Sequence, residues 1–200
     1  VAVREQFLDT ANHYAELGEH SRQYAMFLTY SALEPDDNID SESYRVAFAQ
    51  LPQEGLDESA QALAQALEGA GEKREEYWKS RVLPFWQGVW PKQLGLLSTR
   101  MSESLARLCV SAAGQFPSAM ATLGDWLVPQ QHPHFLVHLL HESELCDQFP
   151  ECSLAFLDSV VGQDRSLAQD LSDCLNRIIK SDPQLEQDNR FQRLLQLARR

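Results

Sequence analysis

The sequence predicts an all-α fold, and three observations carry that reading. Apolar residues recur with helical spacing at i, i+3, i+4 and i+7 through most of the chain. The alternating β-branched runs that mark strands are absent. Glycines, prolines and Ser/Asp residues punctuate the helical pattern at intervals of about 8–18 residues, an ordinary helix length. The expected architecture is stacked helix pairs, either an irregular HEAT-like α-solenoid or a helical bundle of about ten helices. No fixed repeat period recurs, so a solenoid here would be a degenerate one. A chain of 200 residues with 44% hydrophobic residues is long enough for one sizeable core. A single all-helical domain over residues 1–200 is therefore expected, with a candidate sub-boundary near 91–98. The chain starts at Val1 and is already in helical pattern by Phe7, which suggests a domain cut from a longer polypeptide.

Taken in order, the first helix is expected over Arg4–Leu17, with Phe7, Leu8, Ala11, Tyr14 and Ala15 on one face and Gly18 as C-cap. Ser21 can cap a second helix carrying Tyr24, Phe27, Leu28 and Ala32, stopped at Glu34-Pro35; the two read as an antiparallel hairpin. The acidic stretch that follows alternates Asp36, Asn38, Asp40 and Glu42 like a calcium loop. It lacks the required Gly and bidentate Glu, having Ser41 and Ala47 at those positions, so it reads as a solvated loop ending in a Ser41 or Ser43 cap. Tyr44, Phe48 and Leu51 mark a short third helix closed by Pro52. After Gly55, Ala60, Leu63, Ala64, Leu67 and Ala70 make a fourth, whose small residues suit close packing.

The segment Glu72–Trp90 is the expected hub of the core. Trp78, Val82, Phe85, Trp86 and Val89 form one broad apolar stripe, and each large aromatic can bury about 150–250 Å². Pro84 interrupts it, removing a donor and crowding the preceding turn, so a kink or break is expected there. Trp90-Pro91 ends the segment, and a turn containing Gly95 follows. Ser98 or Ser102 then caps a helix with Leu105, Leu108, Cys109 and Ala112, ending at Gly114. Pro117 opens a shorter one with Met120, Leu123, Trp126 and Leu127, stopped by Pro129, although Gly124 interrupts it. His134–His141 makes a histidine-rich helix that could run on to Cys146. Pro150, at a position where a helix start tolerates it, opens the next through Leu154 to Val161, with Gly162 as stop. Leu167, Leu171, Leu175, Ile178 and Ile179 form the longest amphipathic run outside the hub. Ser181-Asp182-Pro183 breaks it, and Phe191, Leu194, Leu195 and Ala198 make a final short helix.

Charge and cysteine usage narrow the function. Seventeen Lys and Arg against 29 Asp and Glu give a formal net charge of −12 and a pI near 4.8. Binding to a phosphate backbone is disfavoured unless bases cluster, and they do so only at Arg190, Arg193, Arg199 and Arg200. Cys109, Cys146, Cys152 and Cys174 form no Cys-x-x-Cys pair and read as reduced, partly buried thiols of a cytoplasmic protein. No apolar run approaches the roughly 18 residues that span a bilayer, and no signal-peptide pattern opens the chain. A protein partner, or the rest of the same polypeptide, is therefore expected rather than nucleic acid or membrane.

The sharpest constellation is HPHFLVHLLHE. His134, His138 and His141 share one narrow helix face at about 100° per residue. Imidazoles one turn apart can share zinc, copper or nickel, with Glu142 or Cys146 as a further ligand. The His134-x-x-x-His138 spacing resembles the zincin helix, but Phe135 stands where that helix needs its catalytic Glu. The two readings are a polar face that happens to use histidine and a metal site at His134, His138 and His141. There is no phosphate-binding loop, no Gly-x-Ser-x-Gly elbow and no GxGxxG after a strand. Glu75 with Glu76 and Asp36 with Asp37 lie on segments that read as solvated, and a Cys146–histidine dyad lacks a visible activating environment. No catalysis and no cofactor are expected of this chain.

The stretch FPECSLAFLDSVVG, followed by LEQDNRFQRLLQLARR, resembles the helical C-terminal regions of large bacterial anti-phage defence proteins. It covers about the last fifty residues, Phe149 to Arg200, and rests on Phe-Pro-acid followed by an apolar run ending in Leu-Asp. In that family an N-terminal effector, such as a sirtuin-like or nucleotide-hydrolysing module, precedes helical repeats. The resemblance implies a recognition or assembly role for this piece, with catalysis elsewhere in a longer chain, and carries over no functional residue. The function expected is thus a non-catalytic helical-repeat interaction module, sensor or scaffold. The alternative is a small helical metal-binding protein or enzyme using the histidine face.

Overall fold

A computed structural model describes residues 21–34, 41–92, 97–162 and 168–199. The expected helix Arg4–Leu17 and its hairpin, most of the acidic loop, the turn at Gly95, and Leu167 lie outside the described residues. Within them the protein is all-α, and the one extended pairing is a parallel bridge between Gln130 and Val161. The chain divides into two compact units, Val1–Ser104 and Leu105–Arg200. The division falls inside a helix that follows residues 91–98.

In the first unit, helix α1 (Ser21–Leu33) packs on α3 (Gln53–Gly69), and α2 (Ser41–Ala49) lies against α1. The small residues of α3 permit close approach: Ala60, Leu63, Ala64 and Leu67 are buried. Ser59 Oγ donates to Gly55 O at 2.9 Å and reaches Ala25 O of α1 at 3.5 Å. This contact selects which face of α1 turns inward. Tyr24, Ala25, Leu28 and Thr29 are buried, whereas Phe27, expected among the core positions, is 48% exposed. Tyr44, Phe48 and Leu51 are all buried, and Ser31 Oγ lies 3.0 Å from Tyr44 Oη. Burial, and next to it the neighbouring Tyr44, push the Tyr24 hydroxyl up to about 12. Helix α3 starts at Gln53, ahead of Gly55 and not after it. Pro52 in extended conformation ends the preceding connection, and its carbonyl accepts from Gly55 and Leu56 at 2.8 and 3.1 Å, closing the first turn around the glycine.

The aromatic hub is buried, as its stripe predicts. Gly71, at φ +58°, turns the chain into a 3₁₀ turn, a conformation glycine adopts without strain. Helix α4 (Arg74–Tyr77) follows, then a π-turn over Trp78–Val82 and α5 (Leu83–Gly88). The break expected at Pro84 takes this form. Leu83 N–H donates to Trp78 O, a bond spanning five residues, immediately before the proline that has no N–H to give. Trp78 and Val82 are fully buried, and Phe85, Trp86, Val89 and Trp90 nearly so. Phe48 of α2 meets Phe85 edge-on with centroids 5.2 Å apart, and Trp86 stacks on Trp90 at 4.7 Å.

Of the two candidate caps for α6 (Thr99–Ser111), Ser98 serves: its Oγ accepts from Met101 N at 3.0 Å and donates to Asp57 Oδ1 at 2.5 Å. Ser102 is buried within the helix. In the second unit α7 (Phe116–Leu123) carries Pro117 in its first turn, and Gly124 ends it in a 3₁₀ turn that buries Trp126. Then come α8 (His134–Glu142), α9 (Leu145–Gln148), α10 (Pro150–Val160), α11 (Ala168–Ser181) and α12 (Asn189–Ala198). Helix α8 does not continue to Cys146. Ser143 adopts an extended conformation, donates from Oγ to Leu140 O at 2.6 Å and accepts from Leu145 N at 3.3 Å, so the serine caps one helix and opens the next. Helix α11 is central to this unit, packing on α8, α9, α10 and α12 through buried Leu171, Cys174, Leu175 and Ile178. No helix among the described residues is long and apolar enough to cross a membrane.

Candidate metal centre on the histidine helix

Helix α8 buries Leu136, Val137 and Leu140 and leaves His138 and His141 on its outer side, one turn apart. Their rings lie roughly parallel, 27° apart, with centroids separated by 6.4 Å. Helix α11 is strongly amphipathic: the residues that seat it place Asp170 and Asp173, also one turn apart, beside the two histidines. His138 Nδ1 is 3.1 Å from Asp170 Oδ2, and His141 Nε2 is 3.9 Å from Asp173 Oδ2. On the other side of its ring, His141 Nδ1 lies 3.2 Å from Glu142 Oε1. One donor atom each from His138, His141 and Asp170 falls within 4.8 Å of the others.

Two of the three histidines singled out in the sequence therefore come together, and the third does not join them. His134, the first residue of α8, is outside this group; its place is taken by Asp170 from another helix. The candidate further ligands also separate. Glu142 contacts His141, but Cys146 is buried, and its thiol pairs with Cys174. The hydrogen bond to Cys146, reinforced by burial, pushes the Cys174 thiol up. Burial does the same to Cys109. Neither thiol is placed to act as a nucleophile. Asp170 and Asp173 were readable only as a DLSD spacing on a polar helix face, which by itself does not say which neighbour that face meets.

Arg177 holds the scaffold of the site. Its Nη1 donates to His141 O at 2.6 Å, and its Nε and Nη2 donate to Asp147 Oδ2 at 3.0 and 2.5 Å, joining α11 to the end of α8 and to α9. The same guanidinium holds the Asp147 carboxyl below its ordinary range. Chemically, the cluster offers two imidazoles and a carboxylate at the surface of two packed helices, with two more carboxylates at their margin.

No family model matches the chain, and no solved structure matches it. The chain is similar to the uncharacterized protein y4cA of Sinorhizobium fredii, with 24% identity over 134 residues. The match covers 66% of this chain and 11% of that protein. The chain thus spans about a tenth of the length of the relative it matches.

Proposed function

We propose that the chain is a non-catalytic helical interaction module, a sensor or scaffold that binds a protein partner or the rest of its own polypeptide. The observation that carries the reading is a set of large apolar side chains left at the surface of the first unit. Met26 and Tyr30 are exposed one turn apart on α1, and Val46 is exposed on α2. Scattered exposed apolar residues are ordinary, but two stacked one helical turn apart offer a partner an apolar grip. The similarity to a short share of a much longer protein supports a role inside a larger polypeptide. The resemblance of Phe149–Arg200 to helical regions of bacterial anti-phage defence proteins supports recognition or assembly, with an effector elsewhere. Cys109, Cys146, Cys152 and Cys174 form no disulfide, which supports a reducing, cytoplasmic setting.

The test replaces Met26, Tyr30 and Val46 together by Gln. Exposed positions change stability by only about ±0.5 kcal/mol each, so the variant should fold like the parent. It should lose at least about tenfold in affinity, or about 1.4 kcal/mol, for the separately expressed remainder of the natural reading frame or for a stoichiometrically co-purifying protein. Unchanged affinity in the folded variant would remove the reading.

A further inference from the structure

We infer that His138, His141 and Asp170 form a binding site for one divalent cation of the zinc class, which when bound ties α8 to α11. The inference does not rest on the interaction role above. The two histidines stand one helical turn apart on one helix, and the carboxylate comes from its neighbour. A tetrahedral ion with ligands at about 2.0–2.1 Å holds its donors about 3.3–3.5 Å apart. The three donor atoms already lie within 4.8 Å of one another, so adjustment of side-chain torsions closes the site without moving either helix.

The donor set selects the ion. Imidazole suits zinc, copper, nickel and cobalt, whereas magnesium and calcium take oxygen ligands. Three protein ligands leave one position for water, or for Asp173 beside His141 Nε2. Glu142 against His141 Nδ1 has the place of the outer carboxylate that commonly orients a ligating histidine. With neutral imidazoles, Asp170, Asp173 and Glu142 gather negative charge around the pair, and a cation offsets it. The backing is rigid, because buried Leu136, Val137 and Leu140 of α8 and Leu171, Cys174 and Leu175 of α11 lie beneath. Access is open, since side-chain exposure is 58% at His138 and 41% at Asp170.

The test uses the full chain without a polyhistidine tag, stripped with EDTA and titrated with zinc chloride by calorimetry, with thermal denaturation read in parallel. One saturable equivalent and a raised midpoint are expected. Removing a ligand by His138→Gln, His141→Gln or Asp170→Asn should weaken zinc binding by at least the roughly 10–100-fold seen when supporting residues of metal sites are changed. His134→Gln should leave it unchanged. Circular dichroism of the uncomplexed variants checks that they fold, as surface substitutions should. The proposal is overturned by the absence of saturable binding. It is overturned equally if Asp170→Asn binds like the parent, which would leave a plain His–Asp hydrogen bond, or if His134→Gln weakens binding as much as His141→Gln, which would mean only a histidine-rich face.

Discussion

Trp86 is held by rings and helix together: it stacks on Trp90, which in turn leans on Phe85 and Phe48. Trp86→Ala should therefore destabilise the protein by about 3–5 kcal/mol, the usual result of emptying a large aromatic site. Urea denaturation measures it, and an unchanged midpoint would mean that the ring does not belong to the core. Single residues also show where reading the sequence reaches its end. Tyr24 and Phe27 lie three apart and look equivalent on a helical wheel, yet one is buried and the other exposed. The approach of α3 through Ser59 and Ala60 decides between them, and that contact is invisible to local periodicity. Asp170 was hidden for the same reason, because a carboxylate on a polar face becomes a candidate ligand only when another helix brings histidines to it.

At the scale of elements, punctuation was legible at Ser98 and at Ser181-Asp182-Pro183, but the side-chain caps Ser143 and Asp188 were not read from the sequence. Asp182 and Asp188 accept from Gln184 N and Arg190 N, at 3.1 and 2.8 Å, and so start the 3₁₀ turn Pro183–Gln187 and helix α12. Less legible were boundaries set by backbone paths, such as the start of α3 ahead of Gly55. The Asp188 cap has a pH signature. The Arg190 side chain, with the backbone N–H bonds, lowers the Asp188 carboxyl from 3.8 to about 2. A depressed carboxyl contributes stability fully above its unfolded value and loses it as pH falls through the folded one. The contribution of this group should thus be complete above about pH 4 and lost by about pH 2. Asp188→Asn keeps a capping oxygen but no charge, so the difference in melting midpoint between parent and variant should shrink across that window. A difference that stays constant from pH 5 to 2 would show that the charge contributes nothing.

For the molecule as a whole, charge is the property most directly read from composition. The basic cluster read from the sequence is at the C-terminus, and two of its four arginines are paired at home: Arg190 with Asp188, and Arg193 with Asp158. Nucleic-acid binding draws on neutralised phosphates, and here a net charge of −12 opposes it. No measurable affinity for duplex or single-stranded DNA is expected at physiological salt. Micromolar binding that weakens steeply with salt, and disappears when Arg190, Arg193, Arg199 and Arg200 become Gln, would contradict this. The all-α class was legible because helical periodicity is local. Compact units are not, since they depend on contacts between residues far apart in sequence, and the division at Ser104 and Leu105 falls where no proline or glycine marks it.

The π-turn at Trp78–Val82 bears on descent as well as on shape. Such a turn accommodates one residue more than the α-helical turn it replaces, so this stretch carries a residue that an ancestor or cousin could lack. Removing one of Lys79, Ser80 or Arg81 while replacing Pro84 by Ala would let the backbone return to ordinary helix, with Phe85 and Trp90 still facing Phe48. Alignments of related chains across residues 78–84 should therefore tolerate a one-residue gap there, with proline expected chiefly in the longer versions.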